Sequence, residues 1–175
     1  LWKASIIITI IQNPIIAKEI NTATTKQLSK TTAEVIEAGN NDGRPSFVFY
    51  SLIKKDTKSL NCIFADLPIL LQAISYVHTP VAVFIDKIDQ AFSHHIYEIL
   101  GDTDSSVGSR NASIWQYSQL SLANAAYDIF SSTNQHIKVY YTIRQEALLD
   151  AEEVAPNTFR NFSAYITTIE YSKQD

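Results

Sequence analysis

Apolar and polar positions fall along this chain in blocks of element length. The first block, Ile6 to Ile11, is apolar except for Thr9. Its β-branched residues favour a strand, whereas Leu1, Trp2, Lys3 and Ala4 open a helix that runs through it, and helix is the preferred assignment. Residues 21–30, rich in Thr, Lys and Gln, predict a loop. That loop ends at the capping-box pattern Thr31-Thr32-Ala33-Glu34, from which a short helix runs to Ala38 with Gly39 past its end. Asn40 to Pro45 is turn chemistry.

Ser46 to Ile53 (SFVFYSLI) is nearly unbroken apolar sequence, which predicts a strand covered on both faces, and Lys54 to Ser59 predicts a loop. Asp66, Leu67 and Pro68 make a cap with an early proline, so Ile69 to Val77 continues as a helix stopped before Pro80. Val81 to Ile85 (VAVFI) predicts a buried strand that runs into Asp86, Lys87, Ile88 and Asp89. A helix fits Gln90 to Leu100, and a polar loop fits Gly101 to Ser113. Ile114, Trp115, Ser118, Leu122, Ala125, Ala126 and Ile129 recur at helical spacing, placing a helix over residues 114–131 with one buried stripe. Ile137 to Ile143 predicts a strand, Arg144 to Val154 a helix, and Ala164 to Glu170 a last strand. Alternating strands and helices imply an α/β fold: a doubly wound, mostly parallel sheet with helices on both faces, in one domain over residues 1–175.

Composition narrows the function classes. Fourteen Lys and Arg against eighteen Asp and Glu leave a formal charge of −4, so no general basic field draws a nucleic-acid backbone or an anionic membrane to this domain. The run at Ile6–Ile11 is far shorter than the roughly 20 residues of a membrane span and lacks a signal peptide's basic flank. A single cysteine, Cys62, excludes an internal disulfide and a multi-thiolate metal site, consistent with a cytoplasmic location. The chain starts at Leu1 and contains no methionine, which leads us to expect a piece of a longer protein.

In an open parallel sheet, ligands lie beyond the carboxyl ends of the strands. Two strand ends carry suitable chemistry. Asp86 leaves the strand Val81–Ile85, and one fixed carboxylate there can hold Mg²⁺, an ion that keeps several of its own waters. Thr142 and Arg144 leave the strand at 137–143, offering a hydroxyl and a planar guanidinium suited to phosphate oxygens. Structural roles compete for each residue. Asp86 and Asp89 could cap the following helix, Arg144 could pair with Glu146 or Asp150, and Thr142 could simply fill a strand. His94 and His95 point apart on a helix and lack a third ligand, and Cys62 lacks a nucleophile's surroundings.

The segment Val81-Ala-Val-Phe-Ile-Asp86-Lys-Ile-Asp89-Gln90 resembles the Walker B strand of P-loop NTPases, in particular the STAND (NACHT-like) class of AAA+ relatives. Thr142-Ile143-Arg144 is similar to that class's sensor 1 ending, and residues 162–171 to the strand before its helical lid. Leu1-Trp2-Lys3-Ala4 resembles the helix that follows the phosphate-binding loop. The resemblance implies an ATP-dependent signalling switch with ATP and Mg²⁺ as ligands. By the same resemblance Asp86 holds the metal, Asp89 and Gln90 position the attacking water, Thr142 and Arg144 sense the γ-phosphate, and a homo-oligomer is a possible assembly. Two departures stand against it. No G-x-x-x-x-G-K-[ST] is present, so the phosphate loop is expected upstream of Leu1. Gln90 replaces an acid, and an amide orients water without accepting its proton, which implies slow hydrolysis or a base role for Asp89. The alternative is a degenerate, non-hydrolysing binding or oligomerisation module.

Overall fold

The computed structural model describes residues 1–39, 43–86, 107–154 and 156–167. At its centre lies helix α1 (Trp2–Gln12), in which nine of eleven residues are buried. A helix apolar on every side has no solvent face to present, and α1 is enclosed accordingly by α2 (Pro14–Ala17), α4 (Lys30–Glu37), α5 (Pro45–Ile53), α7 (Leu67–Ser75) and α8 (Val107–Ser132). Its two buried hydroxyls are satisfied within the helix: Ser5 donates to the Leu1 carbonyl at 3.0 Å and Thr9 to that of Ser5 at 2.8 Å. Trp2 stacks on Phe49 of α5 with ring centroids 4.1 Å apart, while its indole N–H donates to Ser118 on α8 at 3.0 Å.

The remaining elements are α3 (Thr22–Thr25), α6 (Thr57–Ala65), β1 (Val81–Ile85), β2 (Ile137–Tyr141), α9 (Gln145–Val154) and α10 (Pro156–Ser163). β1 and β2 pair in parallel, Val81 opposite Ile137 and Ile85 opposite Tyr141. One face of the pair enters the core through Val83, Ile85 and Ile137, and α8 packs against β2. The other face exposes Ala82, Phe84, Lys138 and Tyr140, with the two rings stacked 5.0 Å apart.

This architecture corrects the expected doubly wound parallel sheet. Among the described residues the sheet has two strands, and the body around them is helical. The largest change is at Ser46–Ile53, where the expected strand is helix α5. Its buried residues Pro45, Val48, Phe49 and Leu52 follow the i, i+3, i+4, i+7 spacing of a helix face, with proline in the first turn where its missing N–H costs nothing. Residues 164 and 165, placed in the last expected strand, form a turn after α10; residues 168–170 of that strand lie outside the described residues.

Three expected loops are partly helical as well. α6 begins at Thr57 because the Asp56 carboxylate accepts the Ser59 N–H at 2.8 Å. α8 begins at Val107, seven residues before the expected start at Ile114. Within residues 21–30, α3 forms a single turn, and α4 is capped by Ser29 rather than by the expected box at Thr31–Glu34. The assignments at Trp2–Gln12, Leu67–Ser75, Val81–Ile85, Ile137–Tyr141 and Gln145–Val154 agree with the pattern of the sequence. The helix expected over Gln90–Leu100 lies outside the described residues.

Candidate functional site: the carboxyl rim of the strand pair

Parallel pairing sends both strands out of the sheet at the same edge. Asp86 follows β1 directly, Thr142 follows β2 directly, and both side chains are exposed. The Thr142 N–H extends the ladder by donating to the Ile85 carbonyl at 3.2 Å, and its hydroxyl donates to Asp86 Oδ1 at 2.7 Å. The hydroxyl therefore fixes the orientation of the carboxylate. Arg144, two residues further on, is also exposed, and its carbonyl accepts the Leu148 N–H at the start of α9. Asp89 and Gln90 lie outside the described residues.

Behind the rim stand two residues that the strand-end argument does not single out. Gln119 of α8 is 2% exposed, and its Oε1 accepts the Arg144 N–H at 3.0 Å. Tyr141, the last residue of β2, is half-buried, and burial pushes its phenol up to about 12, so it stays neutral at ordinary pH. The sequence carried a sign of Gln119: it lies four residues after Trp115 and three before Leu122, a polar residue on the apolar stripe of α8.

The donor set suits a hydrated Mg²⁺ with few protein ligands. Such an ion takes one or two carboxylates and completes its shell with waters and phosphate oxygens. Asp86 supplies one carboxylate, held by Thr142, and no group of three or more His, Cys, Asp or Glu able to cage a metal occurs among the described residues. Other polar clusters are already saturated by internal bonds. The Asp66 carboxylate accepts the Ser29 N–H at 2.9 Å, the Ser29 hydroxyl at 2.7 Å and the Thr32 hydroxyl at 2.6 Å. Glu19 accepts the His78 N–H at 2.8 Å together with the N–H and hydroxyl of Thr79, which holds its carboxyl below the usual range. A cavity of about 280 Å³ lies between α4 and α5, bordered by Gln12, Glu34, Arg44 and Lys55. It shares no residue with the rim and mixes charges of both signs.

Cys62 is free and half-buried on α6. No helix among the described residues is long and apolar enough to cross a membrane. Comparison with known proteins finds no match for this chain, whether to a protein family, to a curated protein or to a solved structure.

Proposed function

We propose that the rim built from Asp86, Thr142 and Arg144 is part of an Mg-ATP site, and that the chain works as a nucleotide-dependent switch of the STAND-like ATPase kind. The observation that carries this reading is the 2.7 Å bond from the Thr142 hydroxyl to Asp86, made across two strands that leave the sheet side by side. A carboxylate and a guanidinium delivered to one rim supply opposite charges to the two halves of a metal–phosphate ligand.

In this reading Asp86 holds Mg²⁺ through its carboxylate, and the bond from Thr142 removes the rotational freedom that the carboxylate would otherwise lose on binding. Bound Mg²⁺ neutralises charge on the phosphate oxygens. Arg144 offers planar N–H donors to a terminal phosphate. Asp89 and Gln90 orient water, with Gln90 unable to take its proton.

The replacement of an acid by Gln90 favours a second reading, a nucleotide-binding module that does not hydrolyse its ligand. Calorimetric titration with Mg-ATP, followed by a phosphate-release assay, separates the two. The expected outcome is binding that weakens about tenfold or more in Asp86→Ala and less in Thr142→Val, with turnover slow or nil. Equal binding by wild type and Asp86→Ala would remove the site from the rim.

A further inference from the structure

Gln119 is a poor choice of residue if stability alone mattered. Its side chain is almost wholly buried, and Nε2 has no hydrogen-bond partner among the described residues. Rotating the amide does not help, because the Arg144 N–H is a donor and must face the oxygen. The unpaired N–H₂ is thus imposed by the bond to Arg144, and an unsatisfied buried donor costs more than one neutral bond returns. An apolar side chain of similar length, on the helix face that carries the buried Leu122, Ala123 and Ala126, brings no such unpaired group.

What the carboxamide fixes is one end of the segment 142–144. At the other end, Thr142 is tied to β1 through the Ile85 carbonyl and the Asp86 carboxylate. Gln119 ties Arg144 to α8 just where α9 begins. The strand end is therefore clamped between the sheet and the longest helix.

We infer that Gln119 is the positioning residue of the rim: through the Arg144 backbone it sets where the guanidinium meets a phosphate, and stability is given up for that alignment. This inference rests on the proposed Mg-ATP site, whose placement of Arg144 it explains. Small misplacements of a binding group carry large losses, so the role is measurable.

The test uses the full chain with Mg-ATP as probe. Gln119→Met removes both the acceptor and the orphan donor at similar volume. The expected result is a melting temperature at or above that of wild type, faster amide exchange at Arg144, and Mg-ATP binding about tenfold weaker. In an Arg144→Ala background the same substitution should add no further loss, since Gln119 acts through Arg144. Gln119→Glu, which burial holds as the neutral acid, keeps a carbonyl acceptor towards the Arg144 N–H and should hold affinity within about threefold of wild type.

Four results would overturn the inference: unchanged binding in Gln119→Met, an equal loss with Arg144 already removed, a melting temperature lowered by several degrees, or a Gln119→Glu variant as weak as Gln119→Met. Wild type that fails to bind Mg-ATP, or binds it no better than Asp86→Ala, defeats the rim reading itself and this inference with it. That result is distinct from a wild type that binds and a Gln119 variant that binds equally well.

Discussion

A carboxylate hidden from water persists without an ion pair only where donors replace its hydration shell, and Asp66, which has no ion pair among the described residues, has three such donors. Desolvation pushes its pKa up, but the Thr32 and Ser29 hydroxyls and the Ser29 N–H outweigh it, and the group titrates below the ordinary carboxylate range. A carboxyl depressed on folding stabilises the protein above its unfolded pKa, and that contribution disappears as pH falls through the folded value. Asp66→Ala should therefore cost about 2–4 kcal/mol in urea unfolding at pH 7, with the gap to wild type narrowing as pH drops below about 4. A gap independent of pH would show that the carboxylate's charge is not what matters. Gly39 and Gln12 make a second residue-level case. A Cβ on Gly39 would sit 2.0 Å from Gln12 Nε2, which donates to the carbonyls of Val35 at 3.1 Å and Ile36 at 3.2 Å. Gly39→Ala and Gln12→Ala should each cost about 1 kcal/mol, and the double variant little more than either, because both lose the same two bonds.

Elements differ in how much their sequence reveals. β1 was legible as a short apolar run feeding an aspartate, whereas the β-branched run of α1 suits a strand as well and only its lead-in Leu1–Ala4 tipped the assignment to helix. SFVFYSLI was not, since an eight-residue apolar run suits a strand or a buried helix equally until Pro45 is counted as the first helical residue. α6 went unread because its cap, Asp56, sits inside a lysine-rich stretch that looks like a solvated loop. The end of α8 shows a device of the backbone rather than of the pattern. Asn134 lies at φ 49°, Gln135 at φ 65°, and the Gln135 N–H donates to the Phe130 carbonyl at 3.2 Å, closing the helix in a Schellman-type turn. Left-handed backbone is costly for glutamine, so Gln135→Gly should raise stability by about 0.5–1 kcal/mol in chemical denaturation, and a loss would contradict this account of the turn. Packing sets a contrast between elements. Ile7→Ala in α1 should cost about 2–5 kcal/mol, whereas Phe84→Ser on the open face of the strand pair should cost about 1 kcal/mol or less.

At the scale of the molecule, the described residues form a helical body around α1 with one parallel strand pair, and the candidate chemistry sits where that pair ends. Sequence reasoning placed Asp86, Thr142 and Arg144 at one edge because parallel strands send their last residues out on the same side whatever the size of the sheet. It did not reach Gln119, whose role depends on α8 passing behind β2, a tertiary fact with no local signature beyond one polar residue on an apolar stripe. Nor did it reach the two-stranded sheet, since each apolar run taken alone passes for a strand. The most direct measurement replaces Mg²⁺ by Mn²⁺ and records paramagnetic broadening of backbone amide signals on adding ATP. The account predicts the strongest broadening at Asp86, Thr142 and Arg144, abolished in Asp86→Ala. Rim amides left sharp at saturating Mn-ATP, or broadening that survives Asp86→Ala unchanged, would contradict it.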